Sequence, residues 1–406
     1  MLDRHTLANG MVLLGEPMKG VGSVAFDFML PAGAAMLPEG CCGAANVLSD
    51  WIFRGAANRD NRRLGDALDG LGLHRAASVE SRHVKIGAVL EAGNIGRALE
   101  LYADVVLEPS LDDRQFVMAR QLAADGVAAL DDNPRQKVLL NLREQFYPEP
   151  LGRSTVGKNR DLKALSPDRL RRIAAESLDP ANTIFSIAGK YDFESICRQL
   201  EKRFGPAPAR RPRAVQIGTR PDRYRHIQTS AAQVHIGLMA ETVRPADKDY
   251  YNAAVAVSIL SGGMSSRLFT EVREKRGLCY AVAARYHGLR DAAGILCYAG
   301  TTPEKAQETF EVITDQFRRL PEGITEEELH RAKVGLKSSL ILHSESSGSR
   351  ASTAGSDYHL RGRVRGLDEI KAAVEVTTAE SILACLRAHP LKDFTIVTIG
   401  SRELKI

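Results

Sequence analysis

The two halves of this 406-residue chain repeat one order of strand and helix patterns. Apolar residues alternate with smaller or polar ones over residues 24–30 and again over residues 234–238, which is typical of a half-buried strand. Four further pairs of segments follow in the same order. They are 68–73 with 268–278, 83–90 with 294–298, 107–113 with 320–327, and 183–189 with 394–400. The repetition predicts two tandem copies of one α+β unit.

The ends of the predicted helices carry matching signals in the two halves. Gly72 and Gly277 are placed as C-terminal stops, because glycine tolerates the left-handed backbone that ends many helices. Asp112 and Thr325 precede the next helices and are predicted N-caps, since their side-chain oxygens can accept from free backbone N–H groups.

A proline- and arginine-rich stretch separates the halves. From Lys202 to Arg225 it holds eight basic residues and one acidic residue, a net charge of +7; the whole chain is +5, so the remainder is −2. Its prolines predict an extended connector. We therefore predict an N-terminal domain at 1–204, a linker at 205–225 and a C-terminal domain at 226–406. No aromatic platform accompanies the positive charge, so no nucleic-acid binding is predicted.

Compartment follows from what the sequence lacks. Its apolar runs are far shorter than the roughly 18 residues that a membrane span needs. Residues 1–5 do not begin a basic and then apolar signal peptide. The six cysteines show no Cys-x-x-Cys spacing, which favours reduced thiols. We predict a cytoplasmic protein with no membrane partner, or a periplasmic one if a leader was removed.

Residues 43–55 predict a short amphipathic helix. Its apolar positions recur at i, i+3, i+4 and i+7, as expected of a buried stripe. They are Ala44, Val47, Leu48 and Trp51. The opposite face carries Asn46, Ser49 and Asp50. From periodicity alone, these three polar residues form the solvated face of an ordinary surface helix.

The frame of this helix, followed by Phe53-Arg54-Gly55, resembles the pitrilysin/insulinase family of zinc peptidases, whose inverted motif His-x-x-Glu-His lies on such a helix. The resemblance covers nearly the whole chain. It extends to residues 7–13, to 150–157 and, most specifically, to 262–280. It implies an α+β protein with two tandem, similar domains, each a largely antiparallel β-sheet with helices packed on one side.

The same resemblance places four residues at positions that bind zinc or activate water in the family. Asn46 and Asp50 stand at the two histidines, Ser49 at the motif glutamate, and Gly126, beside Asp125, at a distant third ligand. Zinc needs about three nitrogen, thiolate or carboxylate ligands, and its bound water needs a base. The resemblance therefore implies that this chain holds no metal or other cofactor and is inactive alone.

Two residues of the second half keep a family pattern. Arg273 and Tyr280 are seven residues apart, the spacing of an Arg/Tyr pair that reaches a substrate at the zinc site. An arginine fork can hold backbone carbonyls, and a tyrosine hydroxyl can donate to a developing oxyanion. Without the resemblance, Arg273 would be a solvated residue and Tyr280 a packing residue.

A chain that lacks the metal ligands but keeps the Arg/Tyr pair resembles the zinc-free subunit of two-chain family members. The implied partners are a homologous subunit with an intact His-x-x-Glu-His, which would carry the zinc, and a peptide substrate. Gly262-Gly263 is too short for the long glycine-rich loop by which another zinc-free subunit of the family handles substrate. The alternatives are a non-catalytic structural or assembly protein and a peptide-binding homodimer.

Overall fold

A computed structural model describes residues 2–211 and 214–406. The strands of the first half are β1 (Asp3–Thr6), β2 (Val12–Pro17), β3 (Ser23–Leu30), β4 (Gly55–Ala56), β5 (Arg59–Asp60), β6 (His74–Val79), β7 (Val84–Glu91) and β8 (Ile184–Gly189). Its helices are α1 (Ala44–Trp51), α2 (Asn61–Asp69), α3 (Ile95–Leu107), α4 (Asp113–Ala128), α5 (Pro134–Phe146), α6 (Asn159–Ala164), α7 (Pro167–Ser177) and α8 (Phe193–Phe204).

The second half follows the same plan. Its strands are β9 (Tyr224–Gln228), β10 (Val234–Glu241), β11 (Cys279–Gly288), β12 (Ala293–Thr301) and β13 (Thr395–Gly400). Its α-helices are α9 (Tyr250–Ser261), α10 (Ala306–Arg319), α11 (Glu326–Ser344), α12 (Ser347–Arg361), α13 (Leu367–Glu375) and α14 (Ala379–Ala388). A π-helix occupies Phe269–Glu274.

Each half supplies one large sheet, and the first half also has the two-stranded sheet β4-β5. Both large sheets are largely antiparallel, which confirms the predicted fold class. The first has the order β1-β2-β8-β3-β7-β6 and one parallel pair, β2 with β8. The second has the order β11-β12-β10-β13-β9 and one parallel pair, β13 with β9. The repeated strand patterns therefore mark the repeated sheets.

The described residues form two compact units that differ from contiguous halves. The first unit contains Met1–Ala129, Glu149–Gly218 and His343–Val364; the second contains Leu130–Pro148, Thr219–Leu342 and Arg365–Ile406. Helix α5 thus belongs with the second sheet and α12 with the first. The physical reason is that each sheet has two apolar faces, and the helices of its own half cover only one of them.

Strand β3 shows what α12 contributes. The side chains of Phe26 and Phe28 pack into the main core with helices of the first half. On the opposite face Ala25 packs with Ala351 of α12, and Met29 lies in a cluster against Tyr358. The prediction of a half-buried strand is wrong here, because the returning helix buries the second face.

The second sheet is covered in a similar way. Ile236 and Leu238 of β10 pack into a core shared with α9, α10 and α14. On the other face a Cβ built at Gly237 would lie 3.2 Å from Leu142 and 3.4 Å from Val138 of α5. Helix α5 therefore approaches the backbone of β10 closely, and glycine leaves room for it.

The predicted helix ends are confirmed. Gly72 and Gly277 have positive φ values of 65° and 57°. The carboxylate of Asp112 accepts from the backbone N–H groups of Arg114 and Gln115 at 2.9 and 3.3 Å. Thr325 Oγ1 accepts from the N–H of Glu328 at 3.2 Å. These local signals do not depend on tertiary packing.

The predicted linker has no helix or strand in its described part before β9, which begins at Tyr224, inside the predicted boundary. Pro212 and Arg213 of that linker lie outside the described residues. The connector makes contacts at its end: Gly218 donates to the carbonyl of Glu149 at 2.7 Å, and Arg220 pairs with Glu241 at 2.9 Å. No helix among the described residues is long and apolar enough to cross a membrane.

Candidate functional site

Helix α1 has the predicted apolar stripe. Ala44, Val47, Leu48 and Trp51 are each at most 1% exposed. The Trp51 indole N–H donates to the carbonyl of Asp112 at 2.9 Å, and its ring lies 5.1 Å from that of Phe116 on α4. The two helices that hold the zinc ligands in the family frame are therefore packed together here.

The polar face of α1 is not solvated, which corrects the expectation from periodicity. The Asn46 amide donates to the carbonyls of Thr155 and Val156 at 2.6 and 3.2 Å. The Ser49 hydroxyl donates to the carbonyl of Asn46 at 2.9 Å, and Ser49 is only 9% exposed. This face is covered because of a tertiary contact: the loop around Thr155 packs over it, and the carbonyls of that loop accept hydrogen bonds from Asn46.

The remaining two positions offer little to a metal. Asp50 forms an ion pair with Arg54, one helical turn later. Gly126 on α4 has no side chain, and a Cβ built there would meet open space. Asp125 Oδ1 already accepts from Gln121 at 2.8 Å. Among residues 2–211 and 214–406, no three His, Cys, Asp or Glu side chains are grouped as metal ligands.

Arg273 and Tyr280 are brought together in the second unit. The guanidinium carbon of Arg273 lies 5.0 Å from the centre of the Tyr280 ring and 4.9 Å from that of Phe269. Cation–π contacts at these distances hold a guanidinium without using its N–H donors. Tyr280 is 81% exposed and Arg273 is also exposed, so both polar ends face solvent within this unit. The packing role for Tyr280 is therefore wrong.

Two backbone irregularities create this arrangement. Arg273 lies on the π-helix, which displaces side chains relative to an ordinary α-helix. Tyr280 is an extra residue in edge strand β11, because the register passes from Cys279 opposite Thr301 to Ala281 opposite Gly300. A bulge of this kind re-aims the side chain that it carries.

Arg273 differs from the neighbouring cations Lys275 and Arg276 in its ion pairing. Lys275 and Arg276 both bond the Glu271 carboxylate, at 2.7 and 2.6 Å. Their hydrogen bonds hold the pKa of Glu271 below its usual range. Among the described residues, Arg273 has no carboxylate partner. Burial raises the pKa of the nearby Cys279 thiol to about 11, so this thiol stays protonated near neutral pH.

Sequence reasoning missed the parts played by Phe269 and Glu271. Phe269 precedes Arg273 by four residues, a spacing at which helical side chains meet. Glu271 precedes Lys275 by the same interval. Those spacings indicate the contacts, whereas nothing in the sequence indicates the π-helix or the bulge.

The zinc-motif positions lie in the first unit and the Arg/Tyr pair in the second.

Comparison with known proteins agrees with this picture. Residues 21–159 match the family model described as insulinase (peptidase family M16), and residues 164–336 match the one described as peptidase M16 inactive domain. An uncharacterized zinc protease of Streptomyces coelicolor is 26% identical over 395 residues, covering 95% of this chain and 86% of the relative. One from Bacillus subtilis is 26% identical over 405 residues and covers 98% of both chains.

Solved structures share the fold. A peptidase M16 inactive domain from Pseudomonas fluorescens has a TM-score of 0.89 at 20% identity and covers 100% of this chain and 99% of its own. A protease from Helicobacter pylori has a TM-score of 0.89 at 19% identity, covering 98% and 99%. A chain of complex III2 from Candida albicans has a TM-score of 0.87 at 17% identity, covering 98% and 96%.

Proposed function

Because the chain belongs to the M16 insulinase family of peptidases, we propose that it is the zinc-free subunit of a heterodimeric zinc metallopeptidase. The observation that carries the proposal is that Arg273 and Tyr280 contact each other while both remain exposed. In the same chain, Asn46 and Asp50 at the metal-ligand positions bond to other protein groups. A partner with His-x-x-Glu-His would supply the zinc and the base. This chain would supply groups that bind the peptide.

The two residues have different roles in this proposal. Arg273 presents its planar N–H fork to backbone carbonyls of the substrate, and the rings of Phe269 and Tyr280 limit its rotation in advance. The Tyr280 hydroxyl donates to the scissile carbonyl oxygen, which becomes negative in the transition state. Such donors accelerate hydrolysis only beside a metal-bound water, so this chain is inactive by itself.

The direct test is to mix the purified chain with a His-x-x-Glu-His homologue from the same genome and to measure cleavage of a quenched fluorescent peptide library. Neither subunit alone is expected to cleave, whereas the mixture is. A homologue with its motif glutamate changed to glutamine is the matched control and should form an inactive assembly. An assembled pair that cleaves nothing would overturn the proposal.

A second prediction concerns metal content. After incubation with zinc and gel filtration, the isolated chain is expected to retain far less than one zinc per chain, since Asp50 is the only carboxylate at the four motif positions and Arg54 pairs with it. Elemental analysis measures this, with the His-x-x-Glu-His homologue loaded in parallel as the positive control. Binding of one full equivalent of zinc by the wild-type chain but not by the Asp50→Asn variant would contradict the prediction that the motif positions of the first half hold no zinc.

The second candidate is a non-catalytic assembly or peptide-binding homologue. The observation in its favour is that the Asn46 amide ties α1 to the carbonyls of Thr155 and Val156, as a residue of a purely structural helix would. It predicts a stable complex with the His-x-x-Glu-His homologue. The rate at which that complex cleaves peptides would not change when Arg273 and Tyr280 are substituted. The variants described in the Discussion separate the two candidates.

A further inference from the structure

Two rows of side chains meet in the second unit, where helix α5 lies beside edge strand β11. Every fourth residue of α5 and its C-cap lies on one side of the helix. That row is Arg135, Leu139, Arg143 and Tyr147. Alternate residues of β11 share the face of the strand that is turned away from the α9 core. That row is Ala283, Arg285 and His287. We call the meeting of these two rows the α5–β11 seam.

Contacts at both ends hold the two rows together. At one end, the Tyr147 hydroxyl lies 2.7 Å from His287 Nδ1 and donates to the carbonyl of His287 at 3.0 Å. At the other end, the guanidinium carbon of Arg135 lies 5.0 Å from the centre of the Tyr298 ring. Tyr298 on β12 stands directly opposite Ala283 of β11. The two rows therefore run in the same direction and lie beside each other along their length.

Arg143 and Arg285 occupy matching positions in the two rows. Arg143 precedes Tyr147 by one helical turn, about 6 Å, and Arg285 precedes His287 by two strand positions, about 7 Å. Arg143 is half-buried, whereas Arg285 is exposed. The Nε–H of Arg143 donates to the carbonyl of Leu139 at 3.4 Å, and its two terminal nitrogens have no acceptor among the described residues. Two guanidinium groups with unused donors therefore stand side by side.

The seam carries positive charge that the chain does not neutralise. Its two rows contain three arginines and no acidic residue. In the part of the chain that the structure describes, neither Arg143 nor Arg285 pairs with a carboxylate. Burial, with the charges of both arginines, lowers the pKa of His287 to about 3, so this ring is neutral near pH 7. Burial and the charge of Arg285 also lower the pKa of Arg143. A half-buried cation without a counter-ion is unfavourable, and a bound anion would relieve that cost.

We propose that the α5–β11 seam binds a carboxylate group of a peptide, with Arg143 and Arg285 donating to its oxygens. The guanidinium fork matches the planar carboxylate, and charge-assisted hydrogen bonds of this kind are roughly twice as strong as neutral ones. Ala283, small and exposed on the same face of β11, leaves room for the ligand beside Arg285. The choice of a peptide rests on the proposed peptidase role, whereas the choice of a carboxylate rests on the arginines alone.

Titration calorimetry of the purified full chain with three short peptides tests the proposal. The first has both ends blocked and one glutamate, the second has glutamine in its place and a free C-terminal carboxylate, and the third has glutamine and both ends blocked. Saturable binding is expected for the first, the second or both, which identifies the source of the carboxylate, and none is expected for the third. No binding of any peptide, or equal binding of all three, would refute the proposal. Because binding to the isolated chain is measured, this result is independent of whether the mixture with a His-x-x-Glu-His homologue cleaves peptides.

Variants at exposed positions, which should not disturb folding, locate the site. Arg285→Gln is expected to lower the affinity for the carboxylate peptide by about tenfold or more, the usual scale for losing a hydrogen bond to a charged group. Arg318→Gln is the matched control, because it removes an exposed charge from α10, on the other side of the second sheet. Ala283→Glu places a carboxylate of the chain itself beside Arg285 and should abolish binding, whereas Ala283→Gln, of nearly the same size, should keep it. Unchanged affinity in Arg285→Gln, or equal affinity in the two Ala283 variants, would overturn the assignment.

Discussion

Tyr280→Phe is expected to lower the kcat of the reconstituted peptidase by about 10²-fold, the usual effect of removing one oxyanion donor. The phenylalanine ring keeps the face on which Arg273 packs, so the guanidinium stays in place and only the hydroxyl is lost. Subunit assembly, measured by analytical ultracentrifugation, should not change. The steady-state rate on a single peptide substrate checks the expectation.

Arginine variants give the matched comparison. Arg273→Ala should raise KM as well as lower kcat, because it removes a two-pronged clamp on the substrate backbone. Arg276→Ala, three residues away, removes a cation that Glu271 already neutralises and should leave both constants near the wild-type values. Full activity in a double Arg273 and Tyr280 variant that still assembles would favour the assembly role.

Gly355→Leu is expected to destabilise the first unit by about 3 kcal/mol, the upper range for overpacking a tight contact. A Cβ built at Gly355 lies 2.8 Å from Met29 Sδ and 3.0 Å from Ser186 Oγ, so a longer side chain must displace α12 from the sheet. Hydrogen exchange of the β3 and β8 amides measures the effect locally, since those strands contact α12.

Gly335→Leu on α11 is the control for that prediction. A Cβ there meets nothing within 4 Å, so the substitution should be neutral or stabilise by up to about 1 kcal/mol through helix propensity. If both glycine variants exchanged β3 amides at the same rate, α12 would not be the element that secures this sheet.

Much of the fold could be predicted because its signals are local. The alternation in β3 and β10, the N-caps at Asp112 and Thr325, and the stop at Gly277 each depend on a few neighbouring residues. The candidate pair was predicted only by resemblance. No spacing rule by itself indicates that an exposed arginine and an exposed tyrosine seven residues apart will meet.

The sequence by itself determined the duplicated strand order, the helix ends and the absence of zinc-ligand side chain types at Asn46, Ser49 and Gly126. Only the tertiary structure decided that α12 covers β3, that a loop carbonyl takes the Asn46 amide, and that a bulge turns Tyr280 toward Arg273. The difference lies in the sequence separation of the residues that make each contact. Propensities and periodicities reflect contacts within one or two turns, whereas these three features join residues that are far apart in the chain or depend on the register between strands.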